Sequence, residues 1–255
     1  MIIILSPAKT MRLVQSKSEL HEEPLFCEKA VTIHSVVKNL SFSEFSSLMK
    51  VKGTLANEAY DIMQRWSWPH NPETSEAAAL AYNGPAFKGL NAKEFSLSDQ
   101  KTAQAHLRIL SGLYGILRPY DYIMQYRLEA QTPLGVGKFS NLYSFWNNII
   151  AKNIEADLKK MNSNLLINLA SAEYSKLVLP HLSKKINVVN IFFKEIKSGK
   201  PFINVVETKK ARGMMSAFIV KNKIMDAESI MAFDLGGYYF DRDLSDGNNF
   251  TFLRV

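Results

Sequence analysis

The sequence predicts an α/β fold of the mixed α+β kind, and three observations carry that expectation. Ile2 to Leu5 and Leu165 to Leu169 are short runs apolar on both faces, as buried central strands are. Each run ends in small and polar residues, Ser6-Pro7-Ala8-Lys9 and Ala170-Ser171-Ala172, which suit an abrupt exit from a sheet. Between the two lie several segments with apolar residues at helical spacing. Their order of strand, several helices, turn, helix and bend is not a repeating strand–helix–strand pattern, and no internal repeat is visible. A chain of 255 residues permits one large domain or two small ones.

Taken in order, residues 11–27 are mixed and polar and read as an excursion over the surface. A first helix follows from Glu28, with Val36, Val37 and Leu40 on one side. Ser43 can cap a short second helix carrying Phe45, Leu48 and Met49, and a third begins near Thr54 with Ala59, Ile62, Met63 and Trp66 at helical spacing. WSWPHNPE, residues 66–73, interrupts regular structure. Trp66 and Trp68 either wedge the helical layer against the sheet or form a stacking platform for bases. Thr74 or Ser75 can cap a helix with body Glu76 to Leu80, and Tyr82-Asn83-Gly84-Pro85 is a turn signal. The helix entering from Ser98 and Asp99 is expected to run to Ser111 or Gly112, where glycine weakens it. Residues 132–143 read as a loop leading into a helix through Trp146, Ile149 and Ile150. A further helix from Glu173 is stopped by Pro180. Val188 to Ile196 pairs with Phe202 to Val206 across the turn 197–200, and a helix follows through residues 208–216. Tyr238 to Phe240 and Phe250 to Leu253 make the last hairpin.

Composition excludes several classes. Hydrophobic content of 47% and charged content of 22% are those of a soluble globular protein, and no apolar run reaches membrane-spanning length. MIIILSPAKT has too short an apolar run, and no basic region before it, for a secretory signal. One cysteine, Cys27, forbids an intramolecular disulfide and fits a reducing compartment, so the expected location is cytoplasmic. The histidines His21, His34, His70, His106 and His181 contain no pair at metal-ligand spacing. Asp241, Asp243 and Ser245 alternate like calcium ligands, but Gly247 falls one place late and Phe252 stands where a bidentate Glu is needed. No metal and no cofactor are therefore expected. A formal charge of +7 favours polyanions, either nucleic acid or phosphorylated ligands.

Three groups of residues are candidates for that chemistry. The first lies in residues 106–129, where Arg108, Arg118 and Arg127 flank a bend marked by Gly112, Gly115 and Pro119. A guanidinium fork matches phosphate or carboxylate oxygens, so these arginines either face an anionic ligand or pair with internal carboxylates. The second is at the carboxyl ends of the two apolar strands, where ligands collect in open α/β sheets: Ser6, Lys9 and Thr10 after one, Ser171 and Glu173 after the other. Side by side, these ends would make a cleft in which Ser6, Lys9, Ser171 and Glu173, with Glu129, are candidates for acid–base work on an anionic substrate. The third is Lys209, Lys210 and Arg212 near a helix start. They lie in residues 194–223, where eight basic residues face two acidic ones.

SPAKT at residues 6–10, HLRILSGLYGILRPYDYIMQYRLE at 106–129, INLASAEY at 167–174 and KKARGMMS at 209–216, with LYSFW at 142–146 and GYYFD at 237–241, resemble the YaaA family, also called DUF328 or UPF0246. The resemblance runs through nearly the whole chain. It implies a compact single domain with a mixed sheet surrounded by helices and a positively charged, DNA-binding cleft. A helix-hairpin-helix-like element is implied at about residues 102–122. It also implies a role in peroxide resistance and in keeping intracellular iron low, with duplex DNA or another phosphate-rich ligand as partner. The chain departs from the family at Tyr82-Asn83-Gly84-Pro85-Ala86-Phe87, where relatives commonly carry a glycine-aspartate-valine-tyrosine turn, so the family aspartate is missing at Pro85. Two functions follow as expectations: a stress protein that binds DNA backbone, or an enzyme that processes a nucleotide or nucleic acid in the same cleft.

Overall fold

The computed structural model describes residues 1–14, 20 and 22–255. In chain order its elements are β1 (Ile2–Leu5), α1 (Cys27–Lys38), α2 (Phe42–Met49), α3 (Gly53–Arg65), β2 (Ser75–Ala77), α4 (Ala78–Ala81), α5 (Pro85–Leu90), α6 (Leu97–His106), β3 (Leu107–Ser111), β4 (Gly115–Leu117) and β5 (Tyr122–Met124). The second half adds α7 (Leu142–Trp146), α8 (Ile149–Lys160), β6 (Leu165–Leu169), α9 (Ala172–Ser175), β7 (Asn187–Lys197), β8 (Lys200–Phe202), α10 (Val205–Lys221), β9 (Tyr239–Asp246) and β10 (Asn249–Arg254).

The main sheet runs β4-β3-β1-β6-β7-β10-β9, with β8 paired to β7. Strand β1 is completely buried and sits between β3 and β6, parallel to both, with Ile3 opposite Leu107 and Ile167. Its apolar faces on both sides are the reason it can be central. Strands β7 and β10 continue the parallel set, whereas β4 and β9 close the two edges antiparallel. Because β3 and β6 lie on opposite sides of β1, the connection between them changes direction. The carboxyl ends of β1 and β6 therefore open a crevice at the place where such sheets bind ligands. The architecture is a single α/β domain with a mixed sheet surrounded by helices.

Helix starts follow local chemistry. Ser41 rather than Ser43 caps α2, in a box completed by Glu44, and Ser96 with Asp99 does the same for α6. Three expected elements change. Leu107 to Ser111 leaves the helix and becomes β3, since all five residues are buried and find an open edge on β1. The helix expected to lead through Leu107 and Ile109 is thus overruled by burial on both faces. Consequently residues 102–122 hold the end of one helix and an antiparallel strand pair, not two helices around a hairpin. Ser75 to Ala77, expected to start a helix, is a strand paired with β5. The partner of β7 ends at Phe202, and Asn204 then caps α10 by accepting from the Glu207 amide. The turn at Ser198-Gly199, both at positive φ, joins β7 to β8 as a tight two-residue hairpin connection does.

Trp66 is 1% exposed and donates from Nε1 to the Tyr114 hydroxyl at 2.8 Å, so the tryptophan acts as a wedge in the core rather than a base platform. The excursion over residues 11–27 is anchored at Met11, which bridges Tyr82, and at Glu22, which bridges Asp121. Residues 15–19 and His21 lie outside the described residues. Among the described residues no helix is long and apolar enough to cross a membrane.

One contact places α10. A Cβ on Gly213 would stand 1.7 Å from the Ala86 carbonyl oxygen, and one on Gly89 would stand 2.1 Å from the Lys210 carbonyl oxygen. Helices α5 and α10 therefore touch backbone to backbone, which only glycine permits. That contact brings the second and third turns of α10 against the end of β1.

Candidate functional site

The cleft forms where four segments meet: Ser6 to Thr10 after β1, Ser171 to Tyr174 after β6, Gly84 to Ala86 at the start of α5, and Lys209 with Arg212 on α10. It encloses about 240 Å³. The loop after β1 is held at both flanks. Thr10 donates its hydroxyl to the Asn83 carbonyl, and the Asn83 amide returns a bond to the Thr10 carbonyl at 2.9 Å. Gly84 is needed there because a Cβ would lie 2.7 Å from that of Ala8.

On the other flank the Ser171 amide donates to Ser6 Oγ at 2.8 Å, and Ser6 Oγ donates to Ser171 Oγ at 3.2 Å. Proton accounting leaves the Ser171 hydroxyl hydrogen without an acceptor among the described residues. Asn168 shapes the exit by accepting from the Ala170 amide at 3.1 Å. Glu173 Oε1 accepts from the Gln131 amide at 3.3 Å. Burial raises the Glu173 carboxyl above the usual range and Glu129 adds to the rise, while the Gln131 and Ala130 amides and Lys9 oppose it. Such a carboxyl holds its proton to higher pH than an exposed glutamate.

The cations around this cleft differ in how well they are matched. Lys9 Nζ lies 3.5 Å from Glu129 Oε1, and Arg127 Nε lies 2.8 Å from the same oxygen. The Arg127 contact is ionic, without the alignment of a hydrogen bond. One carboxylate thus serves two cations. Arg212 has less: its Nε is buried with no acceptor, and no carboxylate pairs with the guanidinium among the described residues. Burial lowers its pKa, the expected response of a charge removed from water.

The other predicted residues separate from this group. Arg108 is buried, with Nη2 2.8 Å from Asp157 Oδ2 on α8 and Nη1 donating to the Gln104 and Leu107 carbonyls. Its fork is spent inside the protein, which removes it as a DNA contact. Arg108→Ala is expected to leave Asp157 unpaired and cost about 3 kcal/mol of stability, read by denaturant unfolding. Arg118 is likewise engaged, by Asp121 at 2.8 Å, by Glu22, and by the Glu23 carbonyl at 3.0 Å. Gly112 and Gly115 are buried packing positions. A Cβ on Gly112 would meet the Leu128 carbonyl at 2.5 Å, and one on Gly115, at φ +72, would meet the Trp146 ring at 2.7 Å. Their amides are not presented to a ligand. Helix α10 starts at Val205, so Lys209, Lys210 and Arg212 lie in its second and third turns, beyond the unpaired terminal amides expected to assist them. Lys210 is exposed outside the cleft lining.

The sequence brought forward Ser6, Lys9, Ser171 and Glu173, and the structure places all four in one cleft. Gly84 to Ala86 and Tyr174 were not expected there; the Gly84-Pro85 signal identified a turn but not what the turn packs against. Cys27 donates to the Pro24 carbonyl at 3.1 Å, and burial, followed by Glu23 and Asp121, pushes its thiol up to about 12. It therefore stays protonated and is a poor nucleophile. Among the described residues no three His, Cys, Asp or Glu side chains gather as a metal site would require.

Fold and site define an α/β protein with a polar, cation-bearing cleft at the carboxyl ends of its central parallel strands. Residues 1–244 match the family model described as peroxide stress protein YaaA. The UPF0246 protein of Saccharophagus degradans is 38% identical over 257 residues, covering 100% of this chain and 99% of that protein. Those of Clostridium perfringens and Clostridium botulinum are each 37% identical, over 255 and 258 residues, and cover at least 98% of either partner. The chain belongs to the peroxide stress protein YaaA family.

Proposed function

We propose that this peroxide stress protein binds the phosphate backbone of DNA through Lys9, Lys209 and Arg212, works in the cytoplasm, and helps to limit iron-dependent oxidative damage. The observation that carries the reading is Arg212, a half-buried arginine whose Nε is buried without an acceptor and whose guanidinium meets no carboxylate among the described residues. Taking a cation from water without a partner is costly, and a phosphate oxygen supplies the missing partner with a matching fork. The formal charge of +7 adds long-range attraction to any polyanion. Backbone neutralisation releases condensed counterions, and where ferrous iron is among them the release moves it away from the strand that peroxide chemistry would damage.

The convergence of Ser6, Ser171 and Glu173 favours a second reading, an enzyme that processes a nucleotide or nucleic acid in the same cleft. Product formation separates the two; occupancy does not. Fluorescence anisotropy with unrelated duplexes across a salt series tests the binding reading. Affinity is expected to be insensitive to sequence and to fall steeply with salt, with Arg212→Gln and Lys209→Ala each lowering the slope by about one phosphate contact. No association at low salt, or association indifferent to salt, would overturn it.

A further inference from the structure

We propose that the floor of the cleft is a site for one phosphomonoester dianion, carried by a nucleotide or by the phosphorylated end of a DNA strand. The inference rests on the anion chemistry assigned to the cleft above but not on duplex binding. Size is the first argument. About 240 Å³ accommodates a phosphate with the sugar that bears it. Charge is the second. Lys9, Lys209 and Arg212 line the cleft against Glu173, and Glu129 beside Lys9 is shared with Arg127, so four cations stand against two carboxylates and leave an excess of two positive charges when both glutamates are ionised. A monoester dianion matches that excess, whereas a backbone diester supplies one negative charge.

Donor geometry is the third argument. Arg212 is half-buried with its Nε buried and unpaired, and among the described residues the Ser171 hydroxyl proton has no acceptor because Ser6 already donates to Ser171 Oγ. A charged fork and a neutral hydroxyl left open in one small cleft are the parts from which a phosphate subsite is assembled. Glu173 has one oxygen occupied by the Gln131 amide.

Titration calorimetry on the full chain tests this with inorganic phosphate, a nucleoside 5′-monophosphate and the unphosphorylated nucleoside. Duplexes of one sequence, with and without 5′-phosphates, form a second arm. The monophosphate or the phosphorylated end is expected to bind at least about tenfold more tightly than its hydroxyl counterpart, the scale of one charge-assisted hydrogen bond. Arg212→Gln and Ser171→Ala should each erase most of that preference, Arg212→Lys should restore part of it, and Lys160→Ala on α8 should leave it unchanged. Melting curves confirm that the variants are folded. Preference confined to the monophosphate makes the ligand a free nucleotide; preference confined to the duplex end makes it a strand terminus. Equal binding with and without the phosphate, or a preference that survives Arg212→Gln, overturns the inference. Salt-dependent duplex binding with no phosphate preference in either arm defeats this inference and leaves the backbone reading intact. Phosphomonoester binding without any low-salt duplex affinity does the reverse.

Discussion

Gly213→Ala is expected to be among the most damaging single-methyl additions to this protein, costing about 3 kcal/mol or more and lowering the melting temperature accordingly. The new Cβ would stand 1.7 Å from the Ala86 carbonyl oxygen, 2.7 Å from the Ala86 carbonyl carbon and 2.7 Å from the Leu90 amide nitrogen. All three are backbone atoms, so no side-chain rotation relieves the overlap and the two helices must separate. Separation moves Arg212, the residue before Gly213 on α10, away from the end of β1, and takes Pro85 and Ala86 from the opposite wall. Loss of stability should therefore be accompanied by loss of anion affinity in whatever fraction remains folded. Urea unfolding and phosphate titration of the same preparation check both. A Gly213→Ala protein with native melting temperature would mean that α5 and α10 do not meet at this glycine.

Arg118→Ala should lower stability while leaving DNA affinity unchanged, and its cost should depend on pH. Asp121 is fully buried, and its Oδ2 accepts from the Arg118 amide at 2.9 Å while Oδ1 faces Arg118 Nε at 2.8 Å. Burial pushes the Asp121 carboxyl up to about 7 even with Arg118 opposing the rise. The folded protein therefore keeps a proton that an unfolded aspartate, near 3.8, has already released. Between about pH 4 and 7 the unfolded chain binds fewer protons, so the stability contributed by Asp121 is complete below about pH 4 and is lost as pH rises through 7. Removing Arg118 deletes the group that supports the ionised form. Its loss should cost little at pH 5, where a protonated Asp121 needs no cation, and about 3 kcal/mol at pH 8, where a buried carboxylate would stand unpaired. Asp121→Asn should flatten the pH dependence of the melting temperature across the same interval. Weakened duplex binding by a fully folded Arg118→Ala protein would return this arginine to the ligand surface.

The contrast between Arg118 and Arg212 shows where sequence reading stops. Both arginines stand among apolar residues in motif-bearing segments, and spacing along the chain gives neither a partner. Arg118 is met by Asp121 three residues on, but Arg108 is met by Asp157, forty-nine positions away on α8. Arg212 is left open because no carboxylate among the described residues arrives there, a fact about the space around α10 and not about its sequence. The expected helix across Leu107 to Ser111 failed for a related reason. A run buried on every side carries no reliable period, and the open edge of β1 decided its conformation.

What the sequence determined by itself is the pair of central strands and the chemistry at their ends. Ile2 to Leu5 and Leu165 to Leu169 have no polar face to expose, so they had to lie inside a sheet, and the small polar residues after them had to leave it at the same edge once the strands ran parallel. Ser6, Lys9, Ser171 and Glu173 were legible on that ground. The tertiary structure alone decided that α10 closes this edge, through two glycines whose missing side chains let it approach α5 backbone to backbone. It also decided which cations remain unsatisfied. Pairing depends on distances between residues remote in the chain, and local propensity carries no information about them.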